Sequence, residues 1–399
     1  MANSISNISE NIQIFGMLVL SQLRNMLALV GNVASNYPGA AEPTSAGSII
    51  NVPSLAISGS ARTRAINGAV TVDDMSSGNV QVTMTQVYKA VKLDNLQRTF
   101  SNIDLITETA KRLAIILADG ADAQLTGLWY YIPYETGKTD GTATFNSTDK
   151  MNYFASARKV LTNNKAPLDR LQAVLGPTES YNLRTLDLFQ QAQQRGDTTG
   201  LRDGNLGRVM GFGVRESQAT PATVTLTTAA SWGTPLVNNA SGYAIGSTSI
   251  AVDGLGTGTI KQGSIFVLGG NNYSVAADAT ITTNAATLTI TPPLKTAVAD
   301  NDPLTVTGFT HSAAGSVGFA YDPDAFLMVV RPQADFIEGS GVRSYQFSDP
   351  ESGLSFRLSF SSAIAGGAGT AMQETMVADL LIGCAVVRPE LAVRIAGQV

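Results

Sequence analysis

The sequence predicts an α+β fold into which a small all-β module is inserted. Residues 48–95 alternate apolar and polar side chains with the short period of paired β-strands. Residues 102–129 place apolar side chains at the spacing of one long amphipathic helix. Residues 218–310 consist almost entirely of Thr, Ala, Gly, Asn, Ser and Val, and turn signals separate their short strands. The contrast between this last segment and its flanks predicts the inserted module.

The composition indicates a large core and a surface that is poor in charge. The protein has 399 residues, of which 44% are hydrophobic and 14% are charged, and its net charge is -5. This length allows two or three domains. So few charges are typical of a surface that partners cover, although a compact soluble protein with few ions stays an alternative. No basic run occurs, which excludes nucleic-acid binding through a charged arm but permits a container for nucleic acid.

Residues that carry common catalytic chemistry are scarce, because His311 is the only histidine and Cys384 the only cysteine. One cysteine cannot close an intrachain disulfide, and one Cys with one His cannot supply a structural zinc site. We interpret His311 as an ordinary hinge residue, and we predict no catalytic residue, no cofactor and no metal site. Acid pairs such as Asp322 and Asp324 can bind calcium weakly, but their neighbours favour a solvated turn. Catalysis by carboxylates alone stays open.

The N-terminal segment from Ile12 to Val30 is apolar, but its pattern is that of an amphipathic helix. No Lys or Arg precedes it, and polar residues interrupt it, which argues against a signal peptide and against a membrane span. We therefore expect no membrane association. The apolar residues that recur every three or four positions are Ile8, Ile12, Phe15, Val19, Leu23, Met26 and Val30.

Two extended segments predict a long two-stranded arm. Residues 80–84 alternate apolar and polar side chains, and residues 87–93 continue the alternation after a slip of one residue. We interpret the slip as a bulge near Gln86. Residues 49–72 are likewise extended and rich in Ser, Ala and Gly. The only charged residues of this second segment are Arg62 and Arg64.

The clearest helix runs from about Asn102 to about Trp129, with Ser101 as its N-cap. At about 1.5 Å per residue its length is roughly 40 Å, so it spans a whole small domain. The predicted apolar face consists of Ile103, Ile106, Ala110, Leu113, Leu117 and Leu125.

The segments on either side of the insert have mixed α/β patterning. Before the insert, the predicted elements are a helix at Met151–Leu161, a strand at Leu171–Leu175, a helix that begins at Pro177 and a strand at Val209–Arg215. After it, the predicted strands are Phe319–Arg331, Ser355–Phe360 and Leu380–Pro389.

Within the insert, Gly269-Gly270-Asn271-Asn272 predicts the tip of a β-hairpin. The predicted strands of the insert are Ser249–Val252, Ser264–Leu268, Tyr273–Val275, Ala286–Ile290 and Leu304–Val306.

Four local motifs, in this order along the chain, resemble a known family. Leu175-Gly176-Pro177-Thr178-Glu179 is similar to its strand-to-helix step, and Leu201-Arg202-Asp203-Gly204 with Gly211-Phe212 is similar to its loop before an insert. Residues 258–265 resemble an insert hairpin, and residues 385–390 resemble the closing strand. Together with the order of segments over nearly the whole chain, these motifs resemble the HK97-like major capsid proteins of tailed bacteriophages, and among them the P22-type coat proteins with an insertion domain.

The resemblance implies an HK97-like fold whose parts have family names. The implied boundaries are 1–47 for the N-terminal arm, 48–98 for the E-loop, 99–217 for the spine helix with the peripheral and axial body, 218–310 for the inserted β domain, and 311–399 for the return to that body.

The resemblance also implies a structural role and no enzymatic activity. The expected function is that of a major capsid protein, which self-assembles as pentamers and hexamers into an icosahedral shell around double-stranded phage DNA. Expected partners are copies of the same chain, portal and scaffolding proteins and, as a further class, decoration proteins. The expected location is the virion after assembly in the bacterial cytoplasm. Arg62 and Arg64 are the candidate contacts with acidic residues of a neighbouring subunit.

Three alternatives stay open. An encapsulin-type compartment shares the fold, and a cargo-enzyme gene beside this one would favour it. A carboxylate-dependent hydrolase such as a glycosidase is an enzymatic alternative. A surface-layer protein or adhesin is disfavoured, because no signal peptide is recognisable.

Overall fold

The computed structural model shows a mixed α+β fold with few helices and many strands. The described residues are 17, 19–20, 27, 29–30, 33, 48–57, 62–64, 66, 68–70, 72, 75–94, 105–137, 145, 151–190, 206–221, 232–307, 315–334, 336–337, 342–348, 353–363 and 373–398.

The described elements are numbered in chain order. The helices are α1 (Leu105–Thr126), α2 (Asn152–Asn163), α3 (Pro177–Arg184) and α4 (Asp187–Gln190), with short 3-10 helices at Gly127–Tyr131, Pro323–Ala325 and Pro389–Leu391. The strands are β1 (Ile49–Ile57), β2 (Met75–Asp94), β3 (Glu135–Gly137), β4 (Gln172–Leu175), β5 (Arg208–Val209), β6 (Phe212–Glu216), β7 (Leu236–Val237), β8 (Ser249–Asp253), β9 (Thr259–Ile260), β10 (Ile265–Leu268), β11 (Asn271–Val275), β12 (Ala279–Thr280), β13 (Ala286–Thr291), β14 (Thr305–Val306), β15 (Gly315–Tyr321), β16 (Phe326–Val330), β17 (Val342–Ser348), β18 (Ser355–Ala363), β19 (Gln373–Val386) and β20 (Ala392–Gln398).

The predicted arm is formed by β1 and β2, which pair antiparallel with Ile57 opposite Met75 at the outer end. β2 is 20 residues long, and its second half pairs with β19 from Met84 to Asp94. The resulting sheet has the order β1-β2-β19-β18-β17, and β16 also pairs with β19. One long strand therefore belongs both to the arm and to the body.

β2 has no bulge near Gln86, so that prediction is wrong. The pairing of β2 with β19 keeps one register through this position. The one-residue shift in the apolar pattern has another cause, which is that β2 buries one face before Gln86 and the opposite face after it. Val82 packs in a small cluster with Leu327, whereas Val87 and Val91 pack against the main core. Since side chains alternate between faces along a strand, moving the burial to the other face shifts the apolar pattern by one residue.

The predicted long helix is confirmed as α1, which continues as a 3-10 helix to Tyr131. Leu113, Leu117 and Leu125 on its predicted face are buried. The residues of this prediction that lie outside the described part, or whose side chains do, are Ser101, Ile103, Ile106 and Ala110.

A glycine lets α1 approach the sheet closely. α1 contacts β2 and β19, and a Cβ atom added at Gly120 would lie 2.7 Å from Cγ1 of Val87. Because any larger residue would collide there, Gly120 sets the distance between the helix and the root of the arm.

The α/β elements before the insert are confirmed. α2, β4 and α3 lie where a helix, a strand and a second helix are predicted, and Pro177 is the first residue of α3. The predicted strand Val209–Arg215 is a tight hairpin, in which β5 pairs with β6. These strands belong to a second sheet with the order β3-β20-β15-β4-β6-β5.

The segment predicted as one strand at Phe319–Arg331 is two strands, β15 and β16, in different sheets. Between them the chain turns at Asp322, whose side chain accepts a hydrogen bond from the N–H of Asp324. Pro323 lacks an N–H group and opens a 3-10 helix at this point. The aspartate and the proline end the first strand despite the continuous apolar pattern. The other two predicted strands are confirmed as β18 and β19.

Residues 232–307 form a β-structure with its own hydrophobic cluster. Its larger sheet has the order β14-β10-β11-β13-β8-β7, and β9 pairs with β12. All five predicted strands of the insert are present. The predicted tip is confirmed as a two-residue turn, in which Gly269 and Gly270 have φ angles of 56° and 77° between the paired residues Leu268 and Asn271.

Only a few residues of the predicted N-terminal helix are described. Met17, Val19 and Leu20 are helical, and Val19 and Val30 on the predicted apolar face are buried. Leu27 and Leu29 are not helical and Val30 lies in a 3-10 turn, so the prediction of one continuous helix up to Val30 is wrong at its C-terminal end. The other residues of that face, from Ile8 to Met26, lie outside the described residues. Among the helices that the structure describes, none is long and apolar enough to cross a membrane.

Candidate functional site

Cys384 and His311, the only cysteine and histidine of the sequence, are the first two candidates for catalytic chemistry. Burial, with a smaller contribution from Asp122, raises the pKa of the Cys384 thiol to about 12, so the nucleophilic thiolate is scarce at neutral pH. His311 lies outside the described residues. Within the described ranges, no group of three or more His, Cys, Asp and Glu residues could hold a metal ion.

The acid pair that we considered as a weak calcium site is instead bound to an arginine. Nη2 of Arg170 lies 3.1 Å from Oδ1 of Asp322 and 2.8 Å from Oδ2 of Asp324. Asp322 also caps the 3-10 helix that follows it. The pair therefore stabilises a turn between the two sheets.

The tip of the arm exposes apolar side chains beside two arginines. Ile66 is 97% exposed, Val72 is 84% exposed, and Val70 is also largely exposed. Arg62 and Arg64, the two residues predicted to contact a neighbour, lie in the same tip and are exposed. Nε of Arg64 donates a hydrogen bond to the carbonyl of Gly68 at 2.6 Å, which closes a small loop. The tip thus presents an apolar and basic surface on a pair of strands.

The outer edge of the arm is interrupted by Pro53. The N–H of Met84 donates to the carbonyl of Ser48, so the backbone groups of Ser48 face β2. Along an antiparallel strand, the backbone N–H and C=O groups of successive residues point alternately toward the partner strand and away from it. Five residues after Ser48, the backbone of Pro53 therefore faces the outer edge, where it offers no donor. A proline in this place hinders further strand pairing along the edge.

The root of the arm is held by a buried ion pair on the sheet. Nη2 of Arg357 lies 2.6 Å from Oδ2 of Asp379, and both residues are buried. Nε2 of Gln86, on β2, donates to the same carboxylate at 2.7 Å. Arg357 also donates to the carbonyl of Ala334 and lies 4.5 Å from the centre of the Phe336 ring. This network joins the arm strand to β18, β19, Ala334 and Phe336.

A second buried ion pair lies where the insert meets the body. Arg394 is fully buried, and its Nη2 lies 3.3 Å from Oε2 of Glu135. Its guanidinium donates to the carbonyl of Gly263 in the insert at 2.9 Å and lies 5.4 Å from the centre of the Trp129 ring. Burial lowers the pKa of Arg394, and Glu135 opposes this shift. One cation of the last strand therefore holds the insert on the end of the long helix.

The surfaces around this ion pair fit closely. Gly263 has a φ angle of 88°, and a Cβ atom there would collide with the ring of Trp129. Oγ of Ser274 donates to the carbonyl of Tyr130 at 2.6 Å. Burial raises the pKa of the Tyr130 hydroxyl to about 12, and the hydroxyl also bonds to Gln262. We name the contact of residues 261–275 with residues 129–135 and Arg394 the insert joint.

Sequence reasoning placed Arg62 and Arg64 on the arm, but it missed the two buried ion pairs. In the alternating segments around Arg357 and Arg394, each arginine occupies the position of a solvent-facing residue. Other parts of the chain cover both positions. No local pattern distinguishes such a covered charge from an exposed one, because the partner carboxylates come from distant segments.

No protein-family model matches the chain. No curated protein matches it either.

Solved structures match most of the chain with low sequence identity. A structure from Mycobacterium phage Che8 is 16% identical, with 92% of this chain and 90% of that chain covered and a TM-score of 0.49. The capsid of cyanophage P-SCSP1u is 13% identical, with 92% and 86% covered and a TM-score of 0.47. The mature capsid of bacteriophage PhiM1 is 10% identical, with the same coverage and the same TM-score.

Proposed function

We propose that this chain is a major capsid protein that self-assembles into an icosahedral shell around double-stranded phage DNA. The observation that carries the proposal is the arm, whose tip leaves Ile66, Val70 and Val72 exposed. Contiguous exposed apolar side chains mark a surface that a partner covers. A second copy of the same chain is the partner that fits this surface.

A projecting pair of strands needs additional burial to be stable. Among the described strands, β1 pairs with β2 alone, and Val52 in its inner half packs in a cluster with Leu327 of the body. The outer half therefore resembles an isolated two-stranded hairpin, which is marginal in water. Pro53 makes the outer edge a poor template for another strand. The arm is therefore suited to contact a neighbour through its side chains, and a regular shell supplies the same neighbour to every copy.

The charges of the tip suit a contact with acidic residues. Arg62 and Arg64 would meet carboxylates of the adjacent subunit, and such pairs contribute more when the contact excludes water. The net charge of -5 also agrees with a shell wall that encloses DNA without sequence-specific binding.

The remaining parts of the proposal follow from the resemblance to P22-type coat proteins. Residues 1–47 would form the N-terminal arm, 48–98 the E-loop, 99–217 with 311–399 the peripheral and axial body, and 218–310 the insertion domain. Pentamers and hexamers of the chain would close the shell in the bacterial cytoplasm, with portal and scaffolding proteins as partners and decoration proteins as a further class. No catalytic role is proposed for any residue.

Electron microscopy of the purified protein tests this function. We expect closed shells of uniform diameter after expression in a bacterial cytoplasm, because each copy can cover the arm of the next. A protein that stays monomeric at high concentration would contradict the proposal, and hydrolytic activity of that monomer would favour the enzymatic alternative. Portal and terminase genes beside this gene would separate a phage shell from an encapsulin-type compartment.

We further expect residues 218–310 to fold without the rest of the chain. Their buried side chains form a cluster of their own around Phe266 and Tyr273, so most of their apolar burial does not depend on the body. An amide-proton NMR spectrum of the isolated segment should show wide dispersion. A narrow spectrum would mean that the insert joint is required for the fold of the insert.

A further inference from the structure

A buried carboxylate in the long helix holds the N-terminal segment. Asp122 lies on α1 and is only 2% exposed. Its Oδ1 accepts hydrogen bonds from the backbone N–H groups of Leu29 at 3.3 Å and Val30 at 3.2 Å. Both of these residues are buried in the main core. The side chain thus binds two consecutive amides of a segment that is 92 residues away along the chain from it.

The same carboxylate also holds the segment that leads into the insert. Oγ of Ser217 donates to Oδ2 of Asp122 at 3.3 Å. One helical turn further along α1, Oγ1 of Thr126 donates to the carbonyl of Ala219 at 2.7 Å. The leading segment, defined as residues 217–221, follows β6 along the chain. It also contacts β15, because the N–H of Val317 donates to the carbonyl of Pro221. It is therefore fixed between the long helix and the second sheet.

These contacts make the stability of one segment depend on the other. A buried carboxylate is tolerated only when hydrogen bonds replace its lost hydration. The N-terminal segment supplies two of the donors to Asp122 and the leading segment supplies another. Loss of the donors from one side leaves the carboxylate less well solvated and less firmly oriented, which weakens its bonds to the other side.

We propose that Asp122 is a latch that couples Leu29 and Val30 to the leading segment. Loss of the bonds from Leu29 and Val30 loosens the leading segment, and loss of the bond from Ser217 loosens Leu29 and Val30. The coupling is a property of the single subunit, so it goes beyond the proposed shell function and does not depend on it.

Hydrogen–deuterium exchange of the full chain, followed by mass spectrometry, tests the latch. In Asp122→Ala, we expect the amides of Leu29 and Val30 and those of the leading segment to exchange at least about tenfold faster than in the wild type. The matched control is Glu108→Ala, which removes an exposed carboxylate from the first turn of the same helix and should leave both segments unchanged.

Ser217→Ala tests the coupling itself, because it removes a donor from one side only. We expect exchange at Leu29 and Val30 to rise about threefold, because Ser217 helps to orient the carboxylate that both amides bind. If Asp122→Ala does not fold, Asp122→Asn retains an acceptor oxygen and should give smaller increases in both segments. Unchanged exchange at Leu29 and Val30 in Ser217→Ala overturns the coupling, and unchanged exchange in the Asp122 variant that folds overturns the latch.

Discussion

Replacing residues 58–72 by a short Gly-Ser linker is expected to abolish shell formation and to leave the subunit folded. Ile57 lies opposite Met75 in the ladder, so a short linker closes the hairpin without moving either strand. The deletion removes the exposed tip only and spares Val82, Val87 and Val91, which pack in the body. Circular dichroism should stay native-like, whereas sedimentation should show monomers or small oligomers in place of shells.

Point substitutions separate the chemistry of the tip from its length. The triple variant Ile66→Ser, Val70→Ser and Val72→Ser should also lower shell yield strongly, because each apolar side chain that assembly buries contributes up to about 1.5–3 kcal/mol. Ile245→Ser is the matched control, since Ile245 is 69% exposed and lies in the insert. Normal shells from the linker variant would refute the bridging role, and a globally unfolded protein would show that the tip belongs to the core of its own subunit.

Replacing Arg394 by methionine is expected to lower the stability of the chain by about 3–5 kcal/mol, because it leaves a buried carboxylate without its cation. Glu135, the partner, is also nearly inaccessible. Methionine retains much of the length of the side chain, so packing against Trp129 is largely preserved. The midpoint of urea unfolding should fall accordingly, and the effect should be among the largest for any single substitution in the protein.

The second substitution Glu135→Gln should recover part of this loss, because it removes the unpaired charge. The control is Lys261→Met, which breaks the exposed pair of Lys261 with Asp278 and should cost less than about 1 kcal/mol. If the urea midpoint of Arg394→Met equals that of Lys261→Met, the buried ion pair does not stabilise the insert joint.

The sequence by itself determined the elements whose cause is local. The long helix follows from the spacing of Leu113, Leu117 and Leu125, and the hairpin tip follows from two adjacent glycines that adopt positive φ angles readily. The strands of the insert follow from short apolar runs between turn residues. The sequence also placed Arg62 and Arg64 on the arm, but the predicted extended segment of residues 49–72 is a strand only from Ile49 to Ile57, and both arginines lie outside the two strands.

Only the tertiary structure decided which faces are covered and which charges meet. The one-residue shift of the apolar pattern near Gln86 looked like a bulge. Alternation of apolar and polar residues shows that a strand has a buried face, but it does not show on which side of the sheet that face lies. Nothing in the sequence singled out Arg357 and Arg394, because the segments that cover them are remote in sequence. A local pattern reports the period of a strand or helix, whereas the partner of a buried charge depends on contacts between distant segments. The root of the arm, the insert joint and the contacts of Asp122 all depend on contacts of this second kind.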